Sequence, residues 1–377
     1  MNERNPLRRL EQFGQSIWLD YIRRRMITSG ELQRLIDEDG LKGITSNPAI
    51  FEKAIAKSQD YDEAMRAMVR QNKSVTEIYH DITVADVQMA ADKFLPLYNK
   101  LDGRDGFISL EVNPHLARDT DGTISEARQL WQAVSRPNVL IKVPATLEGL
   151  PAITRLISEG INVNITLLFG LPRYEQVAEA YLAGLEARLA KGESVQRLAS
   201  VASFFLSRID VLVDPILEKM AATGGPQAQT AKSLRGEVAI ASAKLAYIIY
   251  RRVFSTERFK NLAAKGARTQ RVLWASTSTK NPDYSDVKYV EPLIGPDTIN
   301  TMPPETLEAY RDHGNPAPRL EEGVDQATAV LQRLPELHID INQVTQQLED
   351  EGIDKFNKPY DSLLKTLEDK RQEMLKK

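Results

Sequence analysis

The chain has 377 residues, of which 42% are hydrophobic and 27% charged, a composition that indicates a soluble globular protein with a large core. Its net charge of −3, with lysine and arginine spread among acidic residues, argues against nucleic-acid binding, and we expect no nucleic-acid partner. Cysteine is absent, which excludes disulfides, zinc–thiolate sites and thiol nucleophiles.

Short runs rich in Ile, Val and Leu alternate with helix-periodic segments, the pattern of a parallel sheet with crossover helices. Eight such runs match the strand number of an α/β fold of the (β/α)8 TIM-barrel type. An open doubly wound sheet is the alternative, but no G-x-G-x-x-G motif follows an early strand to favour it. The predicted strands are Ser16–Asp20, Gly43–Ser46, Phe107–Val112, Val139–Val143, Asn162–Leu167, Leu198–Phe204, Arg271–Ser276 and Val287–Val290.

Helical periodicity fills the intervals between these runs. The sequence after about residue 303 differs, with clustered Pro and Gly followed by helical periodicity over residues 331–348 and again near the C-terminus. We interpret residues 1–377 as a single barrel domain in which approximately residues 304–377 form additional C-terminal helices; a linker to a small separate domain is the alternative. The predicted helices within the barrel cover residues 31–40, 74–101, 123–134, 147–160, 173–190 and 236–254.

No segment of the sequence indicates export or membrane insertion. The stretch MNERNPLRRLEQFGQ contains no apolar core of a signal peptide. Nor does any stretch approach the about 18 consecutive apolar residues of a membrane-spanning helix. We therefore expect a cytoplasmic protein without membrane contact.

A lysine interrupts the predicted strand Val139–Val143, where Lys142 is surrounded by aliphatic residues. An ammonium group in apolar surroundings either finds an anionic partner or loses its proton, and a neutral lysine is a nucleophile. Two interpretations stay open from the residues alone: a salt bridge to Glu111 across the barrel, or a nucleophilic amine.

Further polar residues stand at the ends of the predicted strands, where a barrel enzyme places its active site. Each alone is commonly a cap or turn residue, but together they supply an amine, two carboxylates and several hydroxyl and amide groups. This combination suits covalent catalysis on a ketone, in which the amine forms an iminium that promotes carbon–carbon cleavage and a carboxylate moves protons. The residues are Asp20, Asn47, Glu111, Lys142, Asn164, Thr166 and Ser203.

Six short motifs follow one another along the chain. They are W-L-D at 18–20, T-S-N-P at 45–48, S-L-E-V at 109–112, I-K-V-P-A-T at 141–146, N-I-T-L-L-F at 164–169 and S-F-F-L-S-R at 203–208. Their combination resembles the transaldolase family in its longer bacterial form, over residues from about 14 to about 310. The resemblance implies a (β/α)8 barrel and a cofactor-free transferase of the pentose phosphate pathway.

The resemblance also implies a reaction. A dihydroxyacetone unit would pass from sedoheptulose 7-phosphate or fructose 6-phosphate to glyceraldehyde 3-phosphate or erythrose 4-phosphate. Lys142 matches the lysine that forms the Schiff base, and Asp20 the carboxylate that takes the hydroxyl proton during cleavage. Glu111 and Thr166 match the pair that holds a catalytic water.

Substrate-binding roles follow from the same resemblance. Amide and hydroxyl groups would hold the hydroxyls of the dihydroxyacetone unit, and Arg208 would bind phosphate, for which a guanidinium is well suited. Where shorter family members carry a second phosphate-binding arginine, this chain has Ser278, with Lys280 as the nearby cation. The residues matched to substrate binding are Thr45, Asn47, Asn164, Ser203, Arg208 and Ser276.

Two other functions remain as alternatives at this point: a Schiff-base aldolase of the fructose-6-phosphate type that releases free dihydroxyacetone, and a noncatalytic barrel that uses residues 304–377 as an interaction module. We expect small sugar phosphates as the partners and a monomer or homodimer. No metal is expected, because the four histidines lie on different segments without ligand spacing.

Overall fold

Eight short parallel strands close into a barrel in the computed structural model, which describes residues 5–56 and 58–376. Each strand pairs with the next along the chain, and the last pairs with the first, with Gln15 opposite Thr298. The prediction of a (β/α)8 barrel is therefore confirmed. The strands are β1 Gln15–Asp20, β2 Gly43–Thr45, β3 Phe107–Glu111, β4 Val139–Pro144, β5 Val163–Leu168, β6 Ser200–Phe205, β7 Arg271–Ala275 and β8 Thr298–Met302.

The first seven predicted strands are present, with ends that differ by one or two residues, but the eighth prediction is wrong. Residues 287–290 form turns, with Val290 N donating to the Val287 carbonyl at 3.0 Å. The apolar side chains of this segment are buried because they anchor the loop between β7 and β8. The true eighth strand, TINTM, has no apolar run and was not recognised. Its buried threonines bond within the barrel: Gln15 Nε2, for example, donates to Thr298 Oγ1 at 3.0 Å.

Helices surround the barrel, and further helices follow β8 along the chain. Within the described ranges, no helix has both the length and the apolar character needed to cross a membrane. The helices are α1 Pro6–Arg9, α2 Arg24–Thr28, α3 Glu31–Arg34, α4 Pro48–Ala56, α5 Asp62–Arg70, α6 Val75–Lys100, α7 Thr120–Val134, α8 Gly149–Ser158, α9 Leu171–Ala190, α10 Ser207–Ala222, α11 Ala228–Leu234, α12 Val238–Phe254, α13 Glu257–Ala263, α14 Pro304–His313, α15 Val324–Arg333 and α16 Ile341–Leu375.

Each segment predicted as helical inside the barrel region contains a helix. The start of α6 is set by a capping box, in which Ser74 accepts from the Glu77 backbone and the Glu77 carboxylate accepts from the Ser74 backbone. The segment 31–40 differs, because α3 is short and is followed by a π-turn over Leu35–Asp39. That turn ends at Gly40, whose φ of 74° lies in the left-handed region that glycine adopts without strain.

A buried ion pair closes the N-terminal end of the barrel, opposite the strand ends that carry the predicted site. Arg271 Nη2 donates to Asp105 Oδ1 at 3.0 Å, and the side chains of Ser16 and Trp18 donate to the same carboxylate at 2.7 and 2.9 Å. Asp105 is 2% exposed and Arg271 7% exposed. Charges this deeply buried are tolerated because both are paired and hydrogen-bonded.

Asp105→Ala is expected to lower the free energy of unfolding by about 3–5 kcal/mol, because it leaves the Arg271 charge buried without its partner. Urea unfolding followed by circular dichroism measures the change as a lower midpoint. The exposed Asp369, near the end of α16, provides a control: Asp369→Ala should change stability by no more than about 0.5 kcal/mol. An Asp105→Ala protein as stable as the wild type would contradict the role given to this pair.

The C-terminal helices pack on the barrel, as predicted. The longest of them, α16, has 35 residues and begins after Asp340, whose side chain accepts from the Asn342 backbone. It contacts α4, α5, α6, α10 and β5, and so it crosses the mouth of the barrel at the C-terminal ends of the strands. The assignment of residues 1–377 to one domain stays a prediction.

Candidate active site

A cavity of about 460 Å³ opens at the C-terminal ends of the barrel strands. Most of the predicted site residues converge on it from separate strands and the loops that follow them, as a closed barrel requires of its strand ends. Glu111 and Asn164 do not line the cavity themselves but contact residues that do: Glu111 contacts Lys142, and Asn164 bonds to Ser203. The predicted residues that line the cavity are Asp20, Thr45, Asn47, Lys142, Thr166, Ser203, Arg208 and Ser276.

Lys142 lies at the base of this cavity and is 4% exposed. Its Nζ is 3.1 Å from Glu111 Oε2 and donates to the Ser46 carbonyl at 3.0 Å. The pairing of β3 with β4 sets the first contact, because Glu111 and Lys142 stand opposite each other. The salt bridge considered from the sequence is therefore present, and it places a carboxylate next to the amine.

Glu111 is buried between this cavity and a neighbouring one of about 510 Å³. Burial raises the pKa of Glu111, and the attraction of the nearby Lys142 offsets part of that rise. On β5, Thr166 Oγ1 is buried and has no hydrogen-bond partner among the residues that the structure describes. Buried hydroxyls are normally paired, so this one is free to bind a ligand or a water molecule.

Asp20 stands at the end of β1 and keeps part of its surface open to the cavity. Thr45 Oγ1 donates to Asp20 Oδ1 at 2.6 Å, and Thr301 Oγ1 lies 2.7 Å from Thr45 Oγ1. Withdrawal from solvent raises the pKa of Asp20, while Lys142 and the Thr45 hydrogen bond act in the opposite direction. The Thr45 hydroxyl therefore holds the carboxylate, and the Thr301 hydroxyl contacts Thr45 behind it, in the same cavity as Lys142.

A short hydrogen-bonded chain orders the side of the cavity next to Lys142. Ser203 Oγ donates to Asn164 Oδ1 at 2.7 Å, and Asn164 Nδ2 donates to Ser109 Oγ at 3.0 Å. Asn47 is a helix cap as well as a cavity residue, since its Oδ1 accepts from the Ile50 backbone at 3.0 Å. These groups place neutral donors and acceptors around the space in front of the amine.

Cationic side chains gather on the wall of the cavity formed after β6 and β7. Arg208, near the start of α10, is mostly buried; burial lowers its pKa, and Asp20 and Glu111 counteract this. Its Nη1 is buried without a hydrogen-bond partner in the described part of the chain. Lys280 Nζ donates to Ser278 Oγ at 2.6 Å at the same wall. A further cation, Lys53, lines the cavity from α4, which follows β2. This wall is suited to an anion.

Ser276 is held in a strained conformation at this wall. Its φ is 55°, in the left-handed region, and its Oγ is 2.9 Å from Ser207 Oγ. A non-glycine residue adopts such a φ only where the surrounding structure fixes it, which is common at functional sites. The left-handed conformation of Ser276 turns the chain at the end of β7, and the loop that follows, with Ser278 and Lys280, runs along the cavity.

Several contributors to the site were not identified from the sequence, and three of them show why. Ser46 acts through its backbone carbonyl, for which no side-chain signal exists. Thr301 was missed because its strand was placed elsewhere in the chain. Phe356 lines the cavity from α16, and an apolar residue on a helix is ordinarily assigned to packing.

A larger cavity, of about 820 Å³, lies away from the strand ends, beside α1, α3 and α14. Its lining is rich in charged groups paired with one another, for example Arg311 with Asp39 at 2.6 Å, and none of the predicted site residues reaches it. Within residues 5–56 and 58–376, no group of three or more His, Asp or Glu side chains is arranged to hold a metal ion. The candidate site is therefore the smaller cavity at the barrel mouth.

The fold and the groups at its mouth define an enzyme of the (β/α)8-barrel class. Residues 17–367 match the Transaldolase/Fructose-6-phosphate aldolase family, and the chain belongs to that family. It is 51% identical to "Transaldolase" of Trichodesmium erythraeum over 370 residues, covering 97% of each chain. It is 48% identical to "Transaldolase 2" of Nostoc punctiforme, again over 97% of each, and 46% identical to "Transaldolase" of Thiobacillus denitrificans, over 96% of this chain and 99% of the relative. The resemblance inferred from the six motifs is confirmed.

Proposed function

We propose that this chain is a transaldolase, which transfers a dihydroxyacetone unit from a ketose phosphate to an aldose phosphate through a Schiff base on Lys142. The relatives named transaldolase, matched over nearly the whole chain, support this function over the aldolase and scaffold alternatives. The observation that carries the proposed chemistry is the buried Lys142 amine, 3.1 Å from Glu111 and in the same cavity as Asp20.

The first step is attack of the Lys142 nitrogen on the ketone carbon. The amine must lose a proton before it attacks, and Glu111 Oε2 is at the distance needed to take it. A carboxyl with a raised pKa exchanges protons closer to neutral pH than an ordinary one, which suits repeated transfers. A water held by Glu111 and the unpaired Thr166 hydroxyl would carry protons between the carboxylate and the carbinolamine as water leaves to form the iminium.

Asp20 then starts the carbon–carbon cleavage. Its carboxylate takes the proton of the C4 hydroxyl, the C3–C4 bond breaks, and the bonding electrons flow into the iminium to give an enamine. The aldose phosphate leaves as the new aldehyde. The Thr45 hydroxyl keeps the carboxylate aimed at the cavity, so the base needs little reorganisation when the substrate arrives.

The remaining groups hold the sugar. Asn47, Asn164 and Ser203 would bind hydroxyls of the dihydroxyacetone unit, a role supported by Asn47 and Ser203 lining the cavity and by the Ser203–Asn164 hydrogen bond. Arg208 is the primary phosphate ligand in this proposal, because its guanidinium has a buried N–H group without a hydrogen-bond partner among residues 5–56 and 58–376. Lys280 supplies a second cation on the same wall, where Ser278 replaces the arginine of shorter family members.

We further propose the two substrates of the transfer. The donor is fructose 6-phosphate or sedoheptulose 7-phosphate, and the acceptor erythrose 4-phosphate or glyceraldehyde 3-phosphate. We further propose a place in the pentose phosphate pathway and a cytoplasmic location. A monomer or homodimer, and the lack of a nucleic-acid partner, also stay predictions.

Borohydride reduction in the presence of fructose 6-phosphate is expected to attach the substrate-derived fragment to Lys142, because the reduced Schiff base cannot hydrolyse. Intact mass and peptide mapping measure the adduct and its position. Lys142→Met should lose the adduct, whereas the exposed-site control Lys232→Met should retain it. If folded wild-type protein gives no substrate-dependent adduct, Lys142 is not a covalent catalyst and the proposed mechanism fails.

A further inference from the structure

The helix α16 is fixed on both sides of the barrel mouth. Near its start, Glu349 pairs with Arg173 of α9 at 3.6 Å. Near its end, Lys370 Nζ donates to the Ser58 carbonyl, in the segment between α4 and α5, at 3.1 Å. Because α9 follows β5 and α4 follows β2, these contacts hold α16 across the opening rather than along one side of the barrel.

A glycine allows this helix to lie unusually close to the strand ends. A Cβ at Gly352 would be 2.8 Å from Leu167 Cδ2, closer than carbon atoms can approach. Leu167 directly follows Thr166 on β5 and has a φ of 55°. The backbone of α16 at Gly352 therefore packs against the Leu167 side chain, on the strand that carries one of the proposed catalytic groups.

One helical turn further on, Phe356 points into the active-site cavity. Its ring centroid is 5.8 Å from Lys142 Nζ and 5.8 Å from the guanidinium carbon of Arg208. The side chain is only 3% exposed, although it comes from a helix outside the barrel. The ring thus forms an apolar wall above the amine, between it and the outside of the molecule.

We propose that Phe356 is a shielding residue that keeps bulk water away from the enamine on Lys142 and so favours transfer over release of free dihydroxyacetone. This inference rests on the proposed function, because it concerns the intermediate of that reaction. The ring fills space next to the reacting group and has no proton to donate. Exclusion of water from a closed site is a general means of protecting a reactive intermediate.

The enamine can react in two ways, and both involve the same carbon. In transfer, this carbon forms a new bond to the acceptor aldehyde, whose oxygen takes the proton held by Asp20. In release, the same carbon takes a proton instead, from water or another acid, and becomes the iminium of dihydroxyacetone. In both cases water then adds to the iminium carbon, and the C–N bond breaks to return the Lys142 amine. Shielding by Phe356 therefore slows protonation of the enamine carbon.

Phe356→Ala is expected to increase release of free dihydroxyacetone from fructose 6-phosphate, without acceptor, by about tenfold or more relative to the rate of Schiff-base formation. With erythrose 4-phosphate present, a smaller fraction of cleaved donor should end as sedoheptulose 7-phosphate. Both products are quantified by chromatography, and the adduct at Lys142 is followed by borohydride trapping. Phe356→Leu, which keeps most of the apolar volume, should give an intermediate partition.

The control is Lys358→Ala, on an exposed position of the same helix, which should leave the partition at the wild-type value. An unchanged partition in both Phe356 variants, with trapping intact, would overturn the shielding role and leave the proposed function standing. Absence of the adduct in the wild type would instead reject the proposed function itself. If Phe356→Ala does not fold, Phe356→Leu decides the question by the same comparison.

Discussion

Lys142→Met is expected to reduce kcat by at least about 10⁴-fold, since methionine has a similar length but no amine with which to form the Schiff base. The loss should appear in initial rates of transfer from fructose 6-phosphate to erythrose 4-phosphate. The fold should survive, because Glu111 can take a proton when its cationic neighbour is removed, and burial already favours its neutral form.

The exposed lysine variant Lys232→Met is the matched control and should retain wild-type turnover. Circular dichroism and thermal melting of both proteins distinguish lost chemistry from lost structure. Substantial residual transfer in a folded Lys142→Met protein would mean that another group carries the reaction, and that the contact with Glu111 is only a structural ion pair.

Asp20→Asn is expected to lower kcat by about 10²–10⁴-fold through loss of the base for carbon–carbon cleavage. Schiff-base formation does not need this base, so the borohydride adduct on Lys142 should persist and contain the intact ketose. An adduct that forms without turnover would show that Asp20 acts after Schiff-base formation, at carbon–carbon cleavage. Loss of the adduct together with activity would assign Asp20 to substrate binding instead.

The same variant should be more stable than the wild type at neutral pH. Burial raises the pKa of folded Asp20 above its ordinary value of 3.8, so between the two pKa values the folded protein binds more protons than the unfolded chain. Stability contributed by this group therefore falls as the pH rises through that window, and above it the wild type carries the full cost of the buried charge. Asparagine avoids this cost.

Urea unfolding at several pH values measures the effect. The advantage of Asp20→Asn should be present at pH 7 and should shrink as the pH approaches 3.8, where aspartate in the unfolded chain also becomes protonated. The exposed Asp369→Asn provides the control and should show no such trend. A variant that is less stable than the wild type at pH 7 would contradict the assignment of a raised pKa.

Most of the barrel could be predicted because its strands are covered on both faces and read as apolar runs. β8 is the exception, and the reason is physical. Thr298 and Thr301 are buried, yet the Thr298 hydroxyl accepts from Gln15 and the Thr301 hydroxyl lies beside Thr45, so these two polar side chains have partners inside the barrel. The segment 287–290 looked like a strand because loop anchors are also apolar when they pack against a core.

Side chains at the strand ends could likewise be predicted to converge, since closure of the barrel brings those ends together. Lys142, Glu111 and Asp20 meet for this reason. The Ser46 carbonyl and Phe356 could not be found in the same way. The first has no residue-specific signal, and the second comes from a helix whose position across the mouth depends on tertiary contacts such as Glu349 with Arg173.

The path of α16 has a consequence for synthesis of the protein. All eight strands are complete at Met302, so the barrel can close before Phe356 has been made. A chain interrupted between these points would possess Lys142, Glu111 and Asp20 but no wall above them. Under the proposed function, the site would therefore be covered only once α16 has been synthesised, and a chain that stops before Phe356 would leave the Lys142 amine open to solvent and to other aldehydes and ketones.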